Sequence, residues 1–279
     1  MSKKIEIDRD IIEPIYAKTK SVNQTAKTLG ISWNTCKRIL DEYGISTYSK
    51  ANQYGECKDI ECFSSIKTEE DAYWLGIMYS DGWVRADRNE IGLGSIDREL
   101  IERFKAYTGT TNSIQVKEKD YCKGKTFPGG RICKSSKEFY TITFSSKKTK
   151  ENLKKLGCMP KKSLILCCPT KEQVPDELLW HFFRGYVDGD GWLRYNTNSH
   201  KYTVGLIGTQ KFIEELTGRL RIRHYGHMRH KEENGNTFNF SIDKRELVEK
   251  VLINMYSNSS IYLTRKYQRC QDIFGRSPT

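Results

Sequence analysis

Residues 74–85 read WLGIMYSDGWVR, and residues 183–194 read FRGYVDGDGWLR. In each copy a hydrophobic run contains a glycine five residues before an aspartate, and Gly-Trp-x-Arg follows that aspartate. A repeat that keeps one carboxylate per copy predicts two similar half-domains. Each half would contribute one acid, Asp81 or Asp190, to a shared site.

Each copy is expected to be a buried helix that ends at its aspartate. Helix-start signals precede both copies: Thr68 is followed by three acids, and Pro175 by two. The residues that follow are apolar almost all round, which is typical of a helix with no solvent-exposed face. Glycine inside a helix costs about 1 kcal/mol relative to alanine, so Gly76 and Gly185 indicate a close backbone approach, as between the two helices.

The two aspartates would lie at helix C-termini, where the helix dipole disfavours a negative charge. If the two helices form a pair, the carboxylates also repel each other. A divalent cation offsets both effects, because hard cations bind carboxylate oxygens. The alternative is a purely structural repeat, in which a packed helix simply ends in a turn.

These residues resemble the LAGLIDADG homing-endonuclease family in its single-chain form with two motifs. The similarity is closest over residues 75–82 and 184–191 and extends, by the order of motifs, across about residues 62–275. The resemblance implies an α+β fold in which two pseudo-symmetric αββαββα halves form a saddle over DNA. It also implies Mg²⁺-dependent double-strand cleavage, with Mn²⁺ able to substitute. The first motif departs from the family pattern at Tyr79 and Ser80 but keeps its aspartate.

The resemblance assigns site residues to this sequence one by one. The catalytic acids that bind metal are Asp81 and Asp190. A lysine near the end of each half helps to polarise the attacking water or to stabilise phosphate charge, which falls to Lys162 and Lys266. The polar residues expected to position water, at the end of the second strand of each half, are Asp97 and Gln210.

Composition fits a protein that binds a polyanion. The 279 residues carry a net charge of +12 and a pI near 9.2, which suits DNA but does not separate it from RNA or a membrane surface. Apolar runs fall short of the roughly 20 residues of a membrane span, and the start lacks a signal core, so no membrane partner is expected. A chain with both motifs is expected to act as a monomer.

Cysteine usage predicts reduced thiols in a cytosolic protein, because nine cysteines cannot all pair. Two cysteine pairs are candidate zinc sites by their spacing, Cys57-x4-Cys62 and Cys122-x10-Cys133. Neither has the short spacing typical of structural zinc, so the only metal expected is at the paired aspartates.

Arginines provide the candidate DNA contacts of the two halves. Arg85 and Arg194 end the two repeated stretches. Residues 223–229 and 238–242 are predicted strands, and alternation along such strands would bring arginines to one face, where a basic ribbon fits the major groove. The arginines expected to touch DNA there are Arg221, Arg223 and Arg229. A solvated charged face is the alternative.

Residues 1–46 are predicted to be a separate helical domain. A short helix over residues 22–29, a turn at Gly30 and a second helix over residues 33–43 resemble a helix-turn-helix, whose second helix enters the major groove. A plain helical hairpin is the alternative. The outward-facing residues expected to bind DNA are Trp33, Asn34, Lys37 and Arg38.

The predicted organisation is a helix-turn-helix-like domain, a linker at residues 47–66, and half-domains at residues 67–168 and 169–275. The predicted function is a site-specific homing endonuclease that cuts double-stranded DNA. The alternatives are a non-cleaving DNA-binding regulator on the same scaffold and an intron maturase, for which RNA would be the partner. The intact pair of acids favours the enzyme.

Overall fold

The computed structural model describes residues 5–19, 21–45, 61–126, 130, 132–196, 201–230 and 236–275. The chain divides into two compact units, residues 1–55 and 56–279, and each is described by itself.

In its described residues, 5–19 and 21–45, the first unit has three helices around a small core. They are α1 (Arg9–Thr19), α2 (Val22–Leu29) and α3 (Trp33–Glu42). Gly30 takes φ 65° and ends α2, and the Ser32 hydroxyl accepts a hydrogen bond from the Thr35 N–H and so caps α3. Ile12, Cys36 and Leu40 are buried at the centre. The helix predicted at residues 22–29 is confirmed, whereas α1 was not predicted.

The first half of the second unit follows the expected αββαββα order. Its elements are α4 (Glu69–Ser80), β1 (Gly82–Val84), β2 (Glu90–Ser95), α5 (Arg98–Thr108), β3 (Gln115–Lys117), β4 (Phe139–Ser145) and α6 (Lys147–Lys155). The strands form an antiparallel sheet in the order β1-β2-β4-β3. Thr68 and Asp71 form a capping box that fixes the start of α4.

The second half repeats the same order. Its elements are α7 (Leu179–Asp190), β5 (Gly191–Asn196), β6 (Lys201–Gly208), α8 (Gln210–Arg219), β7 (His227–His230), β8 (Phe238–Ile242) and α9 (Arg245–Tyr256). The sheet order is β5-β6-β8-β7, which is the order of the first sheet. A further helix, α10 (Thr264–Gly275), was not predicted. The predicted α+β fold of two pseudo-symmetric halves is confirmed.

Each sheet has one covered face and one open face. In β4, Ile142 and Phe144 are buried beneath helices, whereas Thr141 and Thr143 alternate with them and are partly exposed. In the second sheet, Val204 and Ile242 pair on the covered side. We call the other side of each sheet its open face.

The predicted strand over residues 223–229 is wrong in its first part. Residues Arg223–Tyr225 form a 3-10 helix, and β7 begins only at His227. The preceding residues end α8, because Arg221 takes φ 58° and its N–H donates to the Gly218 carbonyl, while the Ile222 N–H donates to the Thr217 carbonyl. The residues that end the helix show an alternating pattern, and that pattern by itself predicted a strand.

The segment expected to be a linker, residues 47–66, lies partly outside the described residues. Within its described part, Cys62, Phe63 and Ile66 are buried in the core of the second unit. The packed second unit therefore begins before residue 67. In the portion of the chain that the structure describes, no helix has the length and hydropathy needed to cross a bilayer.

Candidate active site

The helices α4 and α7 meet backbone to backbone through two glycines. A Cβ atom added at Gly76 would lie 2.2 Å from the Phe182 carbonyl oxygen, and one added at Gly185 would lie 2.1 Å from the Tyr73 carbonyl oxygen. No side chain fits in either place. The close approach expected from the two mid-helix glycines is therefore an approach of one motif helix to the other.

The paired helices bring their C-terminal acids together. Asp81 is the C-cap of α4, and Asp190 is the last residue of α7. A Cβ added at Gly189 would lie 1.9 Å from the Ser80 Oγ and 3.2 Å from an Asp81 carboxylate oxygen, so the two motif ends touch. Burial, together with the negative charge of Asp190, raises the pKa of Asp81 to about 6. The two carboxylates thus share one electrostatic site, as the repeat predicts.

A buried lysine lies behind each acid. Lys162 donates hydrogen bonds from Nζ to the carbonyl oxygens of Ser80, at 3.2 Å, and Gly82, at 2.5 Å. In the other half, the Lys266 Nζ donates to the carbonyls of Val187, Asp188 and Gly191, the last two at 2.9 and 2.8 Å. Each ammonium therefore binds the carbonyls at the C-terminus of a motif helix, where the dipole favours a cation.

These contacts change the interpretation of the two lysines. An ammonium has three N–H donors, and Lys266 directs hydrogen bonds to three carbonyls. Burial lowers the pKa of Lys266 to about 8, although the charge of Asp188 opposes that shift. The positive charges of the lysines thus partly offset the unfavourable electrostatics of two carboxylates at helix C-termini. From the sequence, we expected a bound divalent cation to have this effect. Their role towards water stays a prediction.

The two residues expected to position water contact protein groups. Asp97 precedes α5, and its carboxylate accepts hydrogen bonds from the Arg265 Nε at 2.9 and 3.1 Å. Because Arg265 belongs to the second half, this ion pair connects the halves beside Lys266. Gln210, at the start of α8, donates from Nε2 to Glu214 at 3.2 Å. A water-positioning role for either residue stays a prediction.

The departures of the first motif from the family pattern have a structural explanation. Tyr79 donates its hydroxyl to the Leu156 carbonyl at 2.6 Å, while Asp188, at the same place in the second motif, accepts from the Leu263 N–H at 2.7 Å and the Tyr73 hydroxyl at 3.0 Å. Both side chains therefore hold the segment that carries the lysine of their own half. Ser80 uses the space that Gly189 leaves open.

A buried ion pair between the halves was missed by sequence reasoning. The Arg184 guanidinium is fully buried and donates to the Glu69 carboxylate at 2.6 Å and to the Ile261 carbonyl at 2.9 Å. Glu69 also accepts hydrogen bonds from the Ser260 N–H and hydroxyl. The sequence did carry a signal for this ion pair, because Arg184 stands inside the otherwise apolar helix α7. A buried arginine requires a buried partner.

The acids fit a magnesium ion better than they fit a softer metal. Among the described residues there is no group of three or more His, Cys, Asp or Glu side chains arranged to hold a metal. Mg²⁺ is commonly bound through one or two carboxylates, with waters and substrate phosphates completing its octahedral shell. Two adjacent carboxylates, one with its pKa raised by burial and by the charge of the other, match that requirement.

The candidate DNA-contacting arginines occupy different environments. Arg85 and Arg194 are exposed just beyond the acids, and the Arg194 guanidinium lies 5.5 Å from the centre of the Trp192 ring. Arg229 alternates with the partly buried Met228, which places it on the open face of the second sheet. Arg223 is paired with Glu214 at 3.1 Å, and Arg221 ends α8, so neither lies on the strand.

In the first unit, the outer surface of α3 carries the four predicted DNA contacts. Trp33 and Asn34 are exposed at its start. Lys37 forms an ion pair with Asp41, and Arg38 binds Glu42 at 2.7 Å and the Ile5 carbonyl at 2.8 Å. The two basic side chains are therefore held in place by neighbouring groups.

No family model matches the sequence, and a search of curated proteins finds no match. Similar solved structures include the meganuclease I-SmaMI bound to uncleavable DNA, with a TM-score of 0.47 and 12% identity over 73% of this chain and 88% of that one. I-LtrWI bound to target DNA has a TM-score of 0.43 and 11% identity, over 78% of this chain and 91% of that one. I-GzeII in complex with a DNA target has a TM-score of 0.46 and 11% identity, over 73% of this chain and 88% of that one. These similar structures carry the name of the family that the two motifs of this chain resemble, LAGLIDADG homing endonucleases.

Proposed function

We propose that this chain is a site-specific DNA endonuclease of the LAGLIDADG type, which makes double-strand breaks by metal-dependent hydrolysis. The observation that carries the proposal is the meeting of Asp81 and Asp190 at the touching ends of two pseudo-symmetric helices, each with a buried lysine behind it. One acid per half would lie near each strand of a bound duplex, which would account for a double-strand break.

The residues of this chain divide the chemistry between them. Asp81 and Asp190 would hold Mg²⁺, which supplies charge neutralisation at phosphorus and a more acidic bound water. Lys162 and Lys266 keep positive charge beside the acids and fix the ends of the motif helices. Basic side chains near the scissile phosphate stabilise the charge that develops there. Arg85 and Arg194 are exposed in positions to do so.

The first unit is proposed to be a second DNA-binding element. Its helices α2 and α3 are joined by a tight turn at Gly30, and α3 presents Trp33, Asn34, Lys37 and Arg38. In a helix-turn-helix the second helix contacts base edges in the major groove. Removal of residues 1–46 is expected to weaken or broaden DNA recognition and to leave the chemistry of the second unit in place.

The proposal is tested by cleavage of a plasmid library that carries randomised sites, with Mg²⁺ supplied or withheld. Asp81→Asn and Asp190→Asn are each expected to abolish double-strand cleavage while DNA binding is kept. Asp272→Asn is the matched control, because it makes the same charge change at an exposed aspartate of α10.

Each outcome has a distinct meaning. Metal-independent DNA binding without cleavage by the wild type would favour a non-cleaving regulator, and tighter binding to structured RNA than to DNA would favour a maturase. Cleavage by Asp81→Asn or Asp190→Asn at the wild-type rate would remove the paired-acid assignment.

A further inference from the structure

One tryptophan occupies the same position in each half. Trp83 in β1 and Trp192 in β5 each lie two residues after the acid of their half. The next residues, Val84 and Leu193, are buried on the covered faces, so alternation places both indoles on the open faces. Both rings are partly exposed. Packing of the helix-covered core therefore does not explain them.

Each indole lies directly on the backbone of the neighbouring strand, over a glycine. Trp83 is paired with Gly92, and Trp192 with Gly205. A Cβ added at Gly92 would be 2.2 Å from the Trp83 Cζ2, and one at Gly205 would be 2.3 Å from the Trp192 Cζ2. Any larger residue would push the ring away from the sheet. The same Trp-on-Gly pair in both halves fixes the position of two rings beside the acids.

The surroundings of Trp192 are suited to an anionic backbone. The ring lines an open groove of about 620 Å³ whose other polar and cationic members include Arg194, Asn196, Ser241 and Arg269. Arg194 lies against the ring, and Arg269 reaches the groove from α10. In the first half, Arg85 follows Trp83 by two residues and is likewise exposed.

We propose that Trp83 and Trp192 bind the DNA backbone next to the acid of their own half. The apolar ring packs on a deoxyribose, and the indole N–H donates to a phosphate oxygen. Contacts of this kind fix the register of a duplex without reading its sequence, so both tryptophans are positioning residues for the scissile phosphates. This inference rests on the proposed function, because it requires DNA on the open faces.

Fluorescence quenching by acrylamide, an uncharged quencher, tests the proposal directly. The protein carries Trp33→Phe, so that the first unit does not contribute, and Trp74 is fully buried. DNA bound without divalent cation is expected to lower the quenchable fraction of the remaining emission. That decrease should disappear when Trp83→Phe and Trp192→Phe are added, and it should persist with Trp180→Phe, whose ring packs against Phe183.

Cleavage provides a second readout that a purely structural role would not change. Trp83→Ala and Trp192→Ala are each expected to weaken binding about three- to tenfold on matched and mismatched DNA alike. Each should also slow the cutting of one strand more than the other, so that nicked plasmid accumulates, and the nicked strand should differ between the two variants. Trp→Phe variants should recover part of the affinity, because the ring is kept.

The outcomes separate this inference from the proposed function. If the protein fails to bind DNA, the proposed function is wrong. If it binds and cuts DNA while both tryptophans stay equally open to acrylamide, the tryptophan contacts are wrong and the endonuclease assignment stands. Equal slowing of both strands by Trp83→Ala and by Trp192→Ala would also contradict a role confined to one half-site.

Discussion

Gly76 and Gly185 occupy equivalent places on α4 and α7, and each lies against the backbone of the opposite helix. Hypothetical Cβ atoms at these positions would be 2.2 and 2.1 Å from carbonyl oxygens of the partner helix. The separation of the helices, and with it the meeting of Asp81 and Asp190, is thus set by main-chain contact rather than by adjustable side chains.

Substitution of either glycine is expected to force the helices apart. Gly76→Ala and Gly185→Ala should each lower the free energy of unfolding by about 1–3 kcal/mol or more, because overpacking shifts the backbone. Gly218→Ala is the matched control, since that helical glycine has open space around it and alanine is the better helix former by about 1 kcal/mol. Urea unfolding followed by circular dichroism measures all three. Equal effects at all three positions would contradict the close contact.

Arg184→Met is expected to destabilise the second unit strongly. The guanidinium is fully buried and Glu69 is 20% exposed, so the loss should lie near the lower end of about 3–5 kcal/mol. The double variant Arg184→Met/Glu69→Leu should be less destabilised than the sum of the two single variants. Arg98→Met, which removes an exposed pair with Glu102, should have a far smaller effect on stability, because water screens an exposed ion pair. Additive single effects would mean that the pair does not act as a unit.

Loss of either buried lysine should destabilise the end of its motif helix. Lys162→Met and Lys266→Met leave two or three carbonyls without their charged donor, and hydrogen bonds to charged groups contribute about 1.5–3 kcal/mol. Thermal unfolding measures the loss. Lys161→Met is the control, since that neighbour is exposed. Variants as stable as the wild type, but inactive, would instead show that the lysines act only in catalysis.

Arg229 and Arg223 should differ in DNA binding although they are close in sequence. Arg229 lies on the open face of the second sheet. Arg223 lies outside β7 and forms an ion pair with Glu214, with 3.1 Å between the guanidinium nitrogen and the carboxylate oxygen. If Arg229 contacts a phosphate, Arg229→Ala should reduce the dependence of log K on log salt by about one unit. If it contacts a base, the preference at one position should relax instead. Titrations of DNA binding at several salt concentrations, on the matched site and on its single-base variants, distinguish the two contacts. An equal effect of Arg223→Ala would contradict a specific role for the open face in DNA binding.

Cys122 and Cys133 provide a prediction about oxidation. Their sulfur atoms lie 3.0 Å apart within the loop between β3 and β4. The Gly124 N–H donates to the Cys133 carbonyl and the Cys133 N–H donates to the Lys125 carbonyl, which holds the two sides in register. Glutathione disulfide should link the two thiols and be reduced to two glutathione thiols. Tryptic peptides 120–123 and 132–134 should then emerge joined. Cys122→Ser should leave Cys133 unlinked, and a mixed glutathione disulfide in place of the internal bond would contradict the geometry.

Local signals explain why much of the fold could be predicted. Capping residues and buried apolar runs depend on neighbours in sequence, and they predict the helix that ends at Asp81 and its counterpart in the second half. The αββαββα order was implied by the family resemblance. Two glycines in corresponding places indicated the helix pair. The strand predicted over residues 223–229 is wrong in its first part, because Arg221 takes φ 58° and ends the preceding helix there. The alternating pattern of the sequence does not reveal such a helix end.

The contacts that could not be predicted join residues far apart in the chain. Lys266 binds the carbonyl of Gly191, Arg184 binds Glu69, and Arg265 binds Asp97. Each of these depends on how the two halves dock, which no local pattern encodes. The positions of Trp83 and Trp192 over glycines similarly required the register between strands.

The buried ion pair between Glu69 and Arg184 restricts how each half could pair with a copy of itself. Arg184 stands where the first motif has Leu75, and Asp188 stands where it has Tyr79. A self-paired second half would bury two guanidinium groups without Glu69, and a self-paired first half would bury Glu69 without an arginine. With these side chains in place, neither half can pair with a copy of itself without burying a charge that lacks its partner. Separating the gene into two would therefore require both products in the same cell.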